Sequence, residues 1–200
     1  MSRPAAFSPS HPMIQPWQEL HSRQVADFRV FTVRNKHCVS PRTGATHDFF
    51  VIDAVGWVNV VALTPDRKMI LVEQFRHGTE TVELEIPGGM MDAHEASPIT
   101  AGCRELLEET GFVGENPRLI GEVYSNPAIM SNTVYTVLIE NCRPAAPVEF
   151  DATEDLATEL VPIEEVPKLV ASGRIKHSLV VAALYLYELS RTERQAGASP

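Results

Sequence analysis

Apolar and polar positions alternate through FRVFTVRN (28–35), break at SPRTG (40–44) and resume in THDFFVID (46–53). Two period-two runs on either side of a turn-rich segment predict a β-hairpin. WVNVVAL (57–63), MILVEQF (69–75) and TVELEIP (81–87) continue the strand pattern with short connections. The period then changes. Ser97-Pro98 supplies an N-cap and a first-turn proline, and Thr110-Gly111 supplies a stop, so a helix is predicted between them. Strands return in RLIGEVYSN (118–126) and TVYTVLIEN (133–141), an acidic loop covers 147–159, and helical patterns in IEEVPKLVASG and KHSLVVAALYLYELS close the chain.

This order predicts an α/β (α+β) sandwich in which helices cover a mixed sheet, together with a small N-terminal antiparallel sheet. The expected organisation is a flexible arm over 1–16, a β region over 17–54 suited to dimerisation, a main domain over 55–190 and a flexible tail over 191–200. No internal repeat or heptad pattern is present.

Charge narrows the function. The 200 residues carry 26 acidic and 17 basic side chains, a formal net charge of -9, and no basic stripe. Binding to a nucleic-acid backbone is therefore not expected. Three widely spaced cysteines, Cys38, Cys103 and Cys142, form neither a CxxC pair nor a disulfide framework, and a reducing, cytoplasmic setting is expected. The N-terminal residues lack an apolar h-region and no run reaches membrane-spanning length, so neither a signal peptide nor a membrane partner is expected.

The chemistry concentrates in GGMMDAHEASPITAGCRELLEETGF (88–112). At 100° per residue, with Glu105 at zero, Glu109 falls at about 40° and Glu108 at about 300°, while Ile99, Cys103, Leu106 and Leu107 lie at roughly 100° to 200°. The helix thus reads as an apolar face beside a carboxylate face, with Cys103 a core residue. Like charges at these spacings repel, and the last turn of a helix disfavours anions. A solvated acidic face would tolerate this mismatch; a divalent cation would remove it, and oxygen-only ligands suit Mg²⁺ or Mn²⁺. Pro87-Gly88-Gly89 is expected to bend sharply and to permit close approach of a ligand.

These residues resemble the Nudix box, G-x5-E-x7-R-E-U-x-E-E-x-G-U with U a bulky apolar residue. Gly89, Glu95 and the run Arg104-Glu105-Leu106-Leu107-Glu108-Glu109-Thr110-Gly111-Phe112 occupy its fixed positions. One departure stands out: eight residues, not seven, separate Glu95 from Arg104. An extra residue before Ser97, with Ala96 the preferred position, would leave the helix in register and put the role of Glu95 in question. The resemblance implies that Glu105 and Glu109 are principal metal ligands, that Glu108 binds metal or orients water, that the Gly88 carbonyl is a further ligand, and that Arg104 holds the loop.

Beyond the box, VEQFRHG, LEIPGG and SNPAIMSN resemble the ADP-ribose and nucleoside diphosphate sugar pyrophosphatase branch. The branch implies a Mg²⁺-dependent pyrophosphatase (Mn²⁺ as the alternative ion), a nucleoside diphosphate substrate and a homodimer. It implies substrate roles for Arg76, whose guanidinium suits a diphosphate, for Glu85, and for Pro127. Trp57 and Phe28 are candidates to stack a base. In the acidic segment Glu154 is the expected general base, with Asp151 and Asp155 as alternatives. Other nucleoside diphosphate derivatives remain alternative substrates. A non-catalytic sensor on the same fold is the reading from a different class, and the presence of all three box glutamates argues against it.

Overall fold

The structure is a computed structural model that describes residues 14–92, 94–148 and 155–197. It divides into two units, one ending at Asp53 and one beginning at Ala54.

The N-terminal unit is a three-stranded sheet, β1 (Gln18–Asp27), β2 (Phe31–Val39) and β3 (Thr46–Ala54), in that order, with β1 and β2 antiparallel. Gly44, at φ 71°, belongs to the turn after β2, whose Ser40 accepts its N–H. An ion pair between Arg34 and Asp53 ties β2 to β3. Strand β1 is absent from the pattern-based prediction because QELHSRQVAD is almost wholly exposed and lacks an apolar face. Phe28, read above as part of a strand, instead lies in the β1–β2 turn, where Arg29 adopts φ 69°.

The second unit is built around β4 (Trp57–Ala62). Its four-stranded sheet runs β7 (Gly88–Met90), β4, β9 (Thr133–Pro144), β8 (Phe112–Tyr124); β4 and β9 are parallel and the other pairs antiparallel. A three-stranded antiparallel sheet runs β10 (Leu156–Pro162), β5 (Lys68–Arg76), β6 (Thr81–Glu85). The helices are α1 (Pro98–Thr110), α2 (Val166–Ala171) and α3 (Ser178–Gly197).

Alternation along the central strands sorts the core into two layers. Val58, Val60 and Ala62 join Val137 and Ile139 in packing against Ala101 and Leu106 of α1. Val61, Leu63 and Leu138 point the other way and pack with Val166, Val180, Leu184 and Tyr187 from α2 and α3. Each such fully buried aliphatic side chain contributes about 1.5–3 kcal/mol. The result is the expected sandwich, with helices on both sides of mixed sheet.

Two boundaries differ from the sequence reading. The acidic loop expected through 159 gives way to β10 from Leu156, because LATELVP pairs along β5 from Gln74 to Lys68. Helix α3 runs past Ser190 to Gly197, helped by the Glu188–Arg191 pair one turn apart.

Candidate active site

Helix α1 begins where the sequence places it. The Ser97 side chain accepts the N–H of Thr100, Pro98 opens the first turn, and Gly111 closes the helix at φ 72° with its N–H bonded to the Leu107 carbonyl. The register of the box helix is therefore intact and the extra residue is taken up in the preceding loop.

The buried face of α1 is rotated from the predicted one. Ala101, Gly102, Glu105, Leu106 and Glu109 are buried, whereas Cys103 is exposed and Leu107 is 36% exposed. The small residues explain the rotation. A methyl group at Gly102 would stand 3.3 Å from Val137 and 3.4 Å from Val58, so glycine lets the helix axis settle close to the sheet. That approach carries the carboxylates inward. The assignment of Cys103 to the core is corrected accordingly.

The glycines ahead of the helix serve proximity rather than bending. Gly88 and Gly89 lie in the extended strand β7, not in a sharp turn, and neither has a positive φ. A Cβ on Gly89 would overlap the Glu105 carboxylate, and one on Gly88 would overlap the Val58 carbonyl oxygen. The Gly88 N–H donates to Glu109 Oε2 at 3.0 Å. Both buried carboxylates thus press on the same short strand.

Arg104 organises the loop. Its Nε donates to Glu95 Oε1 at 2.8 Å, its Nη1 lies 2.9 Å from Glu105 Oε1 and 2.8 Å from Glu108 Oε2, and its Nη2 donates to the Met90 carbonyl at 3.0 Å. Glu95, with a side chain only 4% exposed, also accepts the Asp92 N–H at 2.7 Å. The hydrogen bond from Arg104 lowers the Glu95 pKa against the opposing effect of burial. Glu95 therefore braces loop and arginine despite the altered spacing. Glu108 is about half exposed and pairs with Arg104 at i,i+4.

A cavity of about 860 Å³ opens in the same unit, within the usual size range for small-ligand pockets. Trp57, Arg76 and Glu85 line it, as do Glu83, Ser125, Asn132, Lys176 and His177. Arg76 Nε and Nη2 form a two-pronged pair with Glu85 at 2.8 and 2.9 Å, and His177 Nδ1 lies 2.8 Å from Glu85 Oε2. Burial pushes the Glu85 pKa up, but the bonds from Arg76 and His177 outweigh it and bring the value from 4.5 down to about 2. An ionised carboxylate only accepts, so the shared proton sits on His177 Nδ1 and Nε2 is left for other contacts. The charge of Glu109 reaches Arg76 and helps raise its pKa, although burial, the largest influence, acts in the opposite direction. Cavity and box are joined through β4, where Trp57 of the cavity lining pairs with Met90 of β7.

Trp57 donates from Nε1 to Asn59 Oδ1 at 3.1 Å, and Asn59 passes the link to the Leu179 carbonyl at the start of α3. The structure therefore gathers Trp57, Arg76 and Glu85 at one cavity and Gly88, Arg104, Glu105, Glu108 and Glu109 at the box. Pro127 is exposed in the turn after β8, outside the cavity lining, although Ser125, Met130 and Asn132 of the same connection line it. Phe28 is 57% exposed in the N-terminal unit, against Phe31. Glu154 and Asp151 lie outside the described residues; Asp155 is exposed just ahead of β10. Asn59, Glu83, Ser125, Asn132 and His177 were missed by sequence reasoning. His177 lies at the start of an apolar helix pattern and Glu83 in an alternating strand, and neither carries a motif.

Among the described residues no three His, Cys, Asp or Glu side chains are gathered closely enough to form a complete metal cage. The donor set nevertheless fits a hard cation. Two buried carboxylates meet a glycine strand, and Mg²⁺ typically takes one or two carboxylates and fills its remaining positions with water and substrate oxygens.

The NUDIX domain family matches residues 55–183, and the chain belongs to this family. It is a Nudix hydrolase, of a family whose members generally require a divalent metal. The chain is 31% identical over 140 residues to the ADP-ribose pyrophosphatase of Bacillus subtilis (strain 168), covering 70% of this chain and 75% of that one. It is 25% identical over 182 residues to the CMP-5'-(N-acetyl-N-hydroxy-3-aminopropyl)phosphonate hydrolase of Streptomyces rubellomurinus (strain ATCC 31215), covering 90% and 87%. A crystal structure of an ADP compounds hydrolase has the same fold, with a TM-score of 0.80 at 24% identity over 92% of this chain and 98% of that chain. No helix among the described residues is long and apolar enough to cross a membrane.

Proposed function

We propose that this hydrolase cleaves the diphosphate of ADP-ribose or a related nucleoside diphosphate sugar, giving a nucleoside monophosphate and a sugar phosphate. The observation that carries the reading is geometric: Trp57, which lines the cavity with Arg76, pairs with Met90 of β7, the strand whose glycines meet the box carboxylates. A diphosphate gripped by the arginine lies within the field of the carboxylates that would hold the ion. The similarity to an ADP-ribose pyrophosphatase supports the choice of nucleotide.

Mg²⁺, or Mn²⁺ in its place, is the proposed ion, held by Glu105, Glu109 and the Gly88 carbonyl, with Glu108 as ligand or water-orienting group. The Gly88 N–H is given to Glu109. On a strand the carbonyl of a residue shares the edge of its N–H, so the Gly88 oxygen faces the same side. A bound divalent ion supplies Lewis acidity at the phosphoryl oxygens and acidifies the attacking water.

The chain's own groups do the rest. Arg76 keeps its Nη1 donors available for the diphosphate because Glu85 engages only Nε and Nη2. Trp57 offers a ring on the cavity wall for a base. Pro127 shapes the turn that carries Ser125 and Asn132. Glu154 takes the proton from the attacking water, a role assigned from the family resemblance, with Asp151 and Asp155 as alternates. The exposed Trp17, Phe49 and Phe50 of the N-terminal unit support a homodimer. The cysteine pattern supports a cytoplasmic location.

The test is a hydrolysis panel with Mg²⁺ over ADP-ribose, ADP-glucose, GDP-mannose, diadenosine polyphosphates and nucleoside triphosphates. The expected result is highest kcat/KM for ADP-ribose or another diphosphate sugar. Preference for triphosphates would overturn the substrate class, and light scattering that shows a monomer would overturn the dimer.

A further inference from the structure

Thr81, Glu83 and Glu85 alternate on β6 and share one face, the face that lines the cavity. Glu85 is satisfied by Arg76 and His177. Glu83 differs. It is 5% exposed, its Oε1 accepts from Thr81 Oγ1 at 2.6 Å, and its Oε2 is buried with no hydrogen-bond partner among the described residues. The nearest cation, Lys176 Nζ, is 3.8 Å from Oε1, beyond hydrogen-bond reach, and 62% of the Lys176 side chain is exposed. A buried carboxylate oxygen left unpaired is costly, and folded proteins retain such groups where a ligand or ordered water completes them.

We infer that Glu83 is a specificity-determining residue whose Oε2 accepts a hydrogen bond from a sugar hydroxyl of the substrate. This rests on the proposed diphosphate-sugar reading and names the side chain that recognises the sugar. The alternatives fit less well. A phosphate or carboxylate on the ligand would meet a like charge. A metal ion would find one open oxygen, because both oxygens of neighbouring Glu85 are already engaged. A hydroxyl supplies the donor that is missing, and it can replace a water without losing the bond. The terminal torsion of a glutamate is broad, so a modest turn of the carboxylate presents Oε2 to the cavity, and the Thr81 hydroxyl, which rotates freely, follows Oε1. His177 Nε2 stands on the same lining and can engage a neighbouring hydroxyl, which makes this wall suited to a polyol rather than a flat base.

The experiment compares wild type, Glu83→Met and Glu83→Gln, each as the full chain with Mg²⁺. Three substrates are used: ADP-ribose, ADP ethyl ester, which lacks the distal sugar, and the 2′-deoxyadenosine analogue of ADP-ribose. Glu83→Met is expected to raise KM for ADP-ribose by about 10- to 100-fold with kcat within about threefold, the scale of losing one charge-assisted hydrogen bond. Its penalty should shrink below about threefold on whichever analogue lacks the hydroxyl that Glu83 reads. Glu83→Gln, which keeps an acceptor oxygen, should fall between. Neither variant should melt lower than wild type, because the Oε2 position that each replaces makes no hydrogen bond among the described residues. Equal penalties on all three substrates, unchanged KM, or a lowered melting temperature that tracks the KM change would each overturn the role of Glu83. A wild-type chain that cleaves none of the three would sink the proposed function, and this inference with it.

Discussion

Replacing Glu85 by glutamine should destabilise the protein by an amount that depends on pH. Glu85 is 2% exposed and carries the bonds from Arg76 and His177 that bring its pKa from 4.5 to about 2. A folded-state pKa below the unfolded one stabilises above the unfolded pKa and is lost as pH falls through the folded one. The fall from 4.5 to about 2 corresponds to about 3 kcal/mol at pH 7. The same relation leaves somewhat under half of that at pH 3 and almost nothing near pH 1. The neutral amide has no such dependence, so the difference between wild type and Glu85→Gln should follow this curve. Urea denaturation of both proteins at pH 7, 5, 4 and 3 measures it. The pH 7 and pH 5 differences should nearly agree, and the decline should appear below pH 4.5. A difference that stays flat from pH 7 to pH 3, or one below about 1 kcal/mol at pH 7, would refute the account of a buried carboxylate held ionised by two partners.

Three more expectations follow from the box. Glu109→Gln should fold with an unchanged circular dichroism spectrum and lose metal-dependent turnover by at least about 100-fold, since changing groups behind a ligand already costs about 10- to 100-fold; near-normal activity would remove Glu109 from the ion site. Gly89→Ala should impair turnover comparably, because its methyl group overlaps the Glu105 carboxylate, and an active alanine variant would show that the close approach is dispensable. Of the three thiols, Cys103 should react with a disulfide reagent in the folded protein while Cys38 and Cys142 stay protected; a slow Cys103 would restore the core assignment that its exposure contradicts.

Strands β4, β5 and β9 were legible as short β-rich apolar runs bounded by turn residues, buried on both faces between two packing layers, and the box helix was legible because its cap residues are local. Strand β1 was not legible, since its exposed residues show no face, and β10 was hidden by the acidic composition around it. The box was readable as a motif, but its geometry was not. An angular plot assigns the interior to Leu107 and Cys103, whereas Ala101 and Gly102 decide the matter by letting the glutamate side approach the sheet. The contributions of His177 and Asn59 depend on contacts 92 and 120 residues away along the chain. Sequence spacing cannot encode such pairings without a motif.

The box and the recognition wall are carried by different parts of the chain. Arg104, Glu105 and Glu109 sit on α1 and meet β7, whereas Ser125, Met130 and Asn132 come from the connection after β8, and Lys176 and His177 from the residues just before α3. Connecting segments accept substitutions and insertions more readily than the elements they join. Changes there can alter which molecule is admitted while the residues that break the bond stay as they are. The same division suits laboratory evolution: libraries confined to 125–132 would explore new leaving groups while the box and the Arg76–Glu85–His177 cluster stay unchanged.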